Sequence, residues 1–578
     1  MKKNTFLLCI VILFITTISF SQIGMYEIPL NQQIDKSNLI VEGKVISKKS
    51  FWDEGYKKIY TLNMVEVHKV FKGKTNPVIQ VITLGGKVGD IGLTVSHHLE
   101  LSENEIGVFL LNSSNQILLD DSSDKSKYKM YSGKQGFYKY DLIFNKASNV
   151  FKVYNDIENN FYRHIETVTK KNYTEISKRV LTDKNRTNKS SLLPFVLGFS
   201  PSTITAGTAS VLTINGLSFG STKGKVQFNN ADDGGATFID ALDSDITSWT
   251  NTSITVKVPD NAGTGQIKVI ASDNSFGSSG AVLNIPYAVL NRNGIMQQHY
   301  NTNTSGGYTW KMSAEFDSFN GGIAKESFLR ALNSWVCSTG VNWVLSSPSI
   351  VANNFARDGI NVITFDPTTD ELDVGVLGAT LNWTTSCGTA VIIDEIDMVF
   401  DGEQNWEYGP ANAVVGKFDF ETVAVHELGH AHALGHVIVP GAIMHFAISS
   451  GTTNRVLGIN DENGGDFIHN ISINTPQCST APMTSISCPS LGTNEETLND
   501  AVSLFPNPTK GIFHIKRNSF VNLDKAFIYD ISGRLISKHD LSNSSNSNTI
   551  NLLGMSKGIY FINIFSNNIV TTRKIVLE

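Results

Sequence analysis

The sequence predicts a multidomain chain in which β-rich domains flank one α+β domain. Three observations carry this. With 578 residues, the chain is too long for one core when domains average ~150 residues. Alternating apolar and polar runs recur, as in Leu39-Ile40-Val41-Glu42-Gly43-Lys44-Val45 and Val78-Ile79-Gln80-Val81-Ile82, which is the period of strands. Between about residues 288 and 476 helices join the strands, with Ile323, Phe328, Leu332 and Trp335 at helical intervals.

Residues 1–21 read as a secretory signal peptide: Lys2 and Lys3, an apolar run from Phe6 to Phe20, then Ser-Phe-Ser before Gln22, with cleavage near Ser21. No other stretch approaches the ~20 apolar residues that a membrane span needs, so the expected mature protein is soluble and exported, secreted or at the cell surface. The net charge is −6, only 17% of residues are charged, and no basic block stands out. Nothing therefore invites nucleic acid or an anionic membrane. Cys9 leaves with the signal peptide, and Cys337, Cys387, Cys478 and Cys488 form an even set in an oxidising compartment, with three pairings open. The preferred pairing is Cys337 with Cys387 and Cys478 with Cys488, each bridge staying within one region.

Residues 22–189 form the β-rich N-terminal domain, expected as a barrel or sandwich. Its His97-His98 pair has no metal-ligand spacing and reads as surface histidines. Preceding the α+β domain, the N-terminal domain reads as a possible pro-region, on position alone. Thr182–Ser191, rich in Lys and Asn, reads as a linker open to proteolysis. Over residues 194–287 short strands alternate with Gly turns: Val211-Leu212-Thr213-Ile214-Asn215-Gly216, Phe219-Gly220, Gly224-Lys225-Val226-Gln227-Phe228, Ile254-Thr255-Val256-Lys257-Val258-Pro259. That spacing predicts an immunoglobulin-like β-sandwich, and its order resembles the IPT/TIG domain, a spacer or binding module.

In the α+β domain, residues 288–476, Tyr308–Met312 reads as an opening strand, Gly322–Cys337 as a helix and Asn361–Phe365 as a strand. Ala390–Phe400 alternates partly, as an exposed edge strand would. An edge beside a metal could bind substrate by strand addition.

The chemistry concentrates in His426-Glu427-Leu428-Gly429-His430-Ala431-His432-Ala433-Leu434-Gly435-His436. On a helix, His426 and His430 project from one face about one turn apart, so both rings can reach one metal. Glu427 beside them is the candidate general base. Asp419 is a good N-cap for this helix, and Val423, Ala424 and Leu428 supply its buried side. Gly435 allows a turn carrying His436 back as third ligand, since a catalytic zinc takes three protein ligands and a water. His432 lies about 200° from His430 and reads as packing or surface. A gluzincin-like third ligand, Glu462, is the runner-up.

His426-Glu427-x-x-His430-x-x-Ala433-x-x-His436, followed by Ala442-Ile443-Met444, resembles the metzincin signature and Met-turn, and its spacing resembles the matrixin branch. The resemblance covers about residues 308–469, including Leu457-Gly458-Ile459-Asn460-Asp461-Glu462 at the start of the family's last catalytic helix. It implies a zinc endopeptidase acting on extracellular proteins, with Zn2+ held by His426, His430 and His436, Glu427 as general base and Met444 as a packing floor. Ala433 departs from the family's Gly at a place where the backbone often has φ > 0; either the turn shifts toward Gly435 or the strain is tolerated. Met444-His445-Phe446 lacks a tyrosine ligand, and His445 reads as a rim residue. The cysteine-containing propeptide motif is also missing, so a latent form would need another group to block the zinc.

Residues 477–500 read as a linker. Residues 501–578 resemble the C-terminal sorting domain of Bacteroidetes type IX secretion, through Leu504-Phe505-Pro506-Asn507-Pro508, Tyr529-Asp530-Ile531-Ser532-Gly533-Arg534, Gly558-Ile559-Tyr560 and Lys574-Ile575-Val576-Leu577-Glu578. The resemblance implies a small β-sandwich that addresses the chain to that machinery. Structural Ca2+ is open: Asp394, Asp397, Asp401 and Glu403 could ligate an ion, though a solvated acidic rim is the favoured reading. The alternative function is an exported adhesin or carbohydrate-binding protein in which the protease-like domain is secondary.

Overall fold

The computed structural model describes residues 24–119, 127–177, 192–292, 294–303, 305–346, 349–350, 355–366, 372–446, 449–488, 498–499, 501–517, 523–542, 547–566 and 569–578. The stretches expected to be a signal peptide, residues 1–21, and a linker, Thr182–Ser191, lie outside these residues. Two compact units are present, residues 1–487 and 488–578.

In the first unit, five N-terminal strands close on themselves. Leu39–Trp52 pairs with Ile59–Lys72, then come Val78–Leu84, Lys127–Met130 and Ile106–Ser114, which returns to Leu39–Trp52. The alternating runs thus form a barrel, with Val41, Val65, Val67, Val81 and Phe109 inside. Closure leaves these five strands no open edge. Between the third barrel strand and Ile106–Ser114, the chain departs as a hairpin of Gly86–Val88 and Ile91–Val95.

Phe195–Ser200, Val211–Leu217, Ser253–Lys257 and Ile246–Trp249 make one four-stranded sheet. Phe238–Asp240, Lys225–Asn230, Ala262–Ile270 and Phe276–Ser278 make another. Their inward residues, among them Leu212, Ile214, Val226, Phe228, Ile254 and Val269, form one core, so the turn spacing does produce a sandwich.

The α+β region is built on a sheet ordered Trp343–Leu345, Tyr308–Met312, Asn361–Asp366, Ala390–Asp401, Gly378–Cys387. Here one expectation fails. Ala390–Asp401 is interior, parallel to Asn361–Asp366 and antiparallel to Gly378–Cys387. Its partial alternation reflects polar side chains that find buried partners. Asp397, which is 0% exposed, accepts from Val362 N at 3.0 Å, and Glu395 accepts from Gly359 N at 2.7 Å. The outer strand is Gly378–Cys387, and the hairpin strand Ile91–Val95 lies antiparallel on it, Leu381 opposite Val95 and Thr385 opposite Ile91.

The solvated acidic rim is likewise corrected. Asp397 is interior, its pKa pushed well up by burial and then by Glu395. Asp394 takes hydrogen bonds from Thr385 and Tyr300, and Asp401 accepts from Glu403 N at 2.9 Å. Only Glu403 of the four is exposed.

Two helices cross this sheet's core. Ile323–Thr339 packs on Phe420–Ala431, and Trp335 Nε1 donates to Val425 O at 2.8 Å. Asp419 caps the second helix, accepting from Thr422 N at 2.8 Å, and is paired with Arg455.

The disulfide pairing is a correction too. Cys387 is joined to Cys478, 91 residues away, and Cys337 is also disulfide-bonded. Sequence nearness misleads because Cys337 faces outward on its helix. The end of the outer strand instead meets the segment that follows the last helix, Ile459–Asn474.

The second unit is a β-sandwich. Val502–Phe505, Ile512–Arg517 and Ser547–Asn551 form one sheet; Leu535–Asp540, Lys525–Asp530, Gly558–Ser566 and Ile569–Leu577 form the other. Phe513, Ile515, Ile528, Ile562 and Ile575 fill its core. No helix among the described residues is long and apolar enough to cross a membrane.

Candidate metal centre

The helix Phe420–Ala431 is buried throughout, so its polar side chains must find partners inside the protein. His426 and His430 do so on one face: His426 Nδ1 donates to Ile443 O at 2.8 Å and His430 Nδ1 to Leu434 O at 2.9 Å. With Nδ1 bonded on each ring, the Nε2 lone pairs face each other at 3.1 Å. His436 joins them from the following turn. Its Nδ1 donates to Asp232 Oδ1 at 2.6 Å, and its buried Nε2 has no hydrogen-bond partner.

A set of converging, buried, acceptor-only nitrogens fits a divalent metal ion, with each opposite nitrogen oriented by an oxygen. Burial pushes all three imidazoles down, His430 to about 3. They therefore stay in the neutral form that a ligand needs.

The structure adds a fourth ring. His97, read from sequence as a surface residue, is 2% exposed and stands among the other three. Ring nitrogens of His97, His426, His430 and His436 all lie within 4.8 Å of one another. Among the described residues this is the one such grouping of potential ligand side chains. His98 is partly buried, accepting from Leu84 N at 2.7 Å and pairing with Asp373. Spacing could not reveal His97, which arrives on the hairpin that leaves the barrel; the adjacent histidines were the only trace.

Glu427 is 0% exposed, and both its oxygens are engaged. Oε1 faces His97 Nε2 at 2.9 Å; Oε2 accepts from Ser96 Oγ at 2.9 Å and Thr380 Oγ1 at 2.8 Å. Burial works to raise its pKa, but the charge and hydrogen bond of His97, joined by His430 and Thr380, outweigh this and hold it at about 2.

Asp232 is a second residue that sequence reasoning missed. It belongs to the sandwich of residues 195–278, yet it orients His436. Burial would raise its pKa, and Lys134 at 3.3 Å together with His436 overcomes that and pushes it below the usual carboxylate range. Oxygens that orient a ligand ring are typically worth about 10–100-fold in metal affinity. Asp232→Ala should weaken zinc binding by about that factor, and Asp232→Asn, which keeps an acceptor, by less. Competition against a chromophoric chelator measures both, and equal affinity in Asp232→Ala and the parent would refute the role.

Met444 is buried, with its side chain against Gly429 of the helix Phe420–Ala431. A Cβ placed on Gly429 would collide with Met444 Sδ, so a side chain there would displace Met444. The turn is pinned by Asp461, which accepts from Ile443 N at 3.0 Å and Met444 N at 3.2 Å.

Ala433 keeps the left-handed conformation, φ +59°; the turn does not shift to Gly435. Ala433 N donates to His430 O at 2.9 Å, Leu290 N donates to Ala433 O at 2.7 Å, and Ala288–Val289 pairs with Leu434–Gly435. The conformation costs roughly 1–2 kcal/mol. The buried Ala433 methyl regains about 1 kcal/mol, and alanine loses less chain entropy than glycine by about 0.5–1 kcal/mol. The terms nearly cancel, so alanine is tolerated.

His432 packs inward, its Nδ1 3.2 Å from His299 Nε2, and belongs to the core rather than the cluster. Glu462 accepts from Ser338 Oγ at 3.2 Å and is absent from the ring cluster. His445 is partly buried and stacks on Phe446.

Comparison with known proteins agrees with this geometry. Residues 302–469 match the family described as Matrixin, residues 194–284 the IPT/TIG domain, and residues 503–578 the secretion system C-terminal sorting domain. Two curated relatives from Arabidopsis thaliana are similar over part of the chain. Metalloendoproteinase 5-MMP is 33% identical over 147 residues, which is 24% of this chain and 38% of the relative. Metalloendoproteinase 2-MMP is 29% identical over 166 residues, 28% of this chain and 40% of the relative. The match thus spans about two fifths of each relative. A solved structure with xylogluco-oligosaccharide covers 66% of this chain and 60% of its own at 9% identity and a TM-score of 0.14, too low to bear on the fold. The chain therefore joins a region that matches the Matrixin family to regions that match the IPT/TIG domain and the secretion system C-terminal sorting domain.

Proposed function

We propose that the protein is an exported zinc-dependent endopeptidase that hydrolyses peptide bonds in extracellular proteins. The observation that carries this reading is the convergence of three buried, neutral imidazoles beside an ionised Glu427, within the segment that matches the matrixins. His426, His430 and His436 would hold the ion. Zinc bound there supplies Lewis acidity toward a carbonyl oxygen and a water. Glu427 takes a proton from the attacking water and returns it to the departing amine nitrogen. Thr380 holds the carboxylate in place, Asp232 and the carbonyls of Ile443 and Leu434 hold the rings, and Met444 floors them.

The edge of Gly378–Cys387, covered in this structure by Ile91–Val95, would bind an extended substrate by strand addition once that strand has withdrawn. The sorting domain would pass the chain to type IX secretion machinery and place it outside the cell. In the test, a His97→Ala form, in which no ring faces Glu427, is offered casein. Hydrolysis should stop with a chelator and return with zinc at one equivalent. Hydrolysis indifferent to the chelator, or a folded protein that takes up no zinc, would refute the reading.

A further inference from the structure

A catalytic zinc site keeps one position open beside three protein ligands, whereas a structural site has four and is closed. This chain supplies four rings, and the fourth comes from a different domain. His97 is held by several independent contacts. Ile91–Val95 continues the catalytic sheet, antiparallel to Gly378–Cys387. Just beyond it, Ser96 N donates to Thr380 O at 3.0 Å and Thr380 N donates to Ser96 Oγ at 2.9 Å. The ring rests against Gly24, where any Cβ would collide with it. His97 itself has φ +57°, a conformation uncommon for a side-chain-bearing residue and one that clusters at functional sites. Ser96 and His97 also occupy both oxygens of Glu427.

We propose that residues 86–98 are a built-in occupant of the cleft: His97 completes the metal's ligand set as a fourth ring while Ile91–Val95 fills the sheet edge that a peptide would need. The proposal rests on the zinc-site reading above. It makes the intact chain latent, with the metal position, the general base and the substrate-binding edge all taken by one segment. That segment leaves the barrel from Val78–Leu84 and returns to it at Ile106–Ser114, so it remains at high local concentration. Opening the site requires this segment to withdraw, which substrate at ordinary concentration should not achieve.

The test replaces zinc with cobalt(II) in the full chain and follows its visible absorption during titration with azide, a small exogenous ligand. The wild type should show no change. His97→Ala should show a shift, and should cleave a quenched peptide at least about tenfold faster than the wild type. Should His97→Ala fail to fold by circular dichroism, Ser96→Pro, which removes the Ser96 N–H bond to Thr380, should respond to azide instead. An azide response in the wild type equal to that of the variant, or a folded variant as closed as the wild type, overturns the proposal. A His97→Ala form that opens to azide sustains the occupant; if it hydrolyses no peptide even after residues 86–95 are cut out, so that the edge of Gly378–Cys387 is free, the peptidase reading is refuted.

Discussion

Alanine in place of Glu427, introduced into the His97→Ala form, should lower peptide hydrolysis by about 10²–10⁴-fold while zinc content stays at one equivalent. The two readouts separate because Glu427 is not in the ring cluster. His426, His430 and His436 keep their own partners, Ile443 O, Leu434 O and Asp232. What alanine removes is the proton acceptor, the carboxylate that Ser96 and Thr380 still hold in the His97→Ala form. Glu427→Gln is the stricter comparison, preserving shape and the Thr380 contact while lacking a basic oxygen. It should lose activity to the same extent. Hydrolysis at the parent rate in either variant would exclude Glu427 as the base, and loss of zinc in both would make it a structural residue.

The second large effect concerns Cys387–Cys478. A bridge across 91 residues restricts the unfolded chain strongly, and losing such a bridge typically costs about 2–5 kcal/mol. Replacing both cysteines by serine should lower the urea midpoint of the first unfolding transition accordingly. Because Cys387 ends the strand Gly378–Cys387, the loss should also raise KM for peptides in the opened form, through a looser binding edge. A non-reducing peptide map showing Cys387 linked to Cys337, or an unchanged midpoint, would contradict this account.

Much of the site was legible because it is local. The i, i+4 spacing of His426 and His430, the cap at Asp419 and the turn that returns His436 all lie within 18 residues, and helix geometry alone relates them. The same rotation turned His432 away from the metal-facing side, and the structure decided that it packs inward.

What was illegible is non-local. His97 meets Glu427 across 330 residues and Asp232 meets His436 across 204. Neither carries a spacing that chain geometry could interpret. Ala390–Asp401 misled for a related reason: alternation signals one polar face, and Asp397 and Glu395 show that such a face can be buried when backbone N–H groups meet the carboxylates. The cysteines misled because closeness in sequence says little once strands and helices have packed.

By itself, then, the sequence determined the kinds of domain, the three-histidine motif with its adjacent glutamate, and the strain to be expected at Ala433. These depend on backbone periodicity and on side-chain chemistry within a few turns of chain. Only the tertiary structure decided that the left-handed Ala433 is kept, that the sandwich domain orients the third histidine, and that the barrel sends His97 into the metal centre. Those outcomes depend on which surfaces bury one another, a property of the whole packed molecule rather than of any segment.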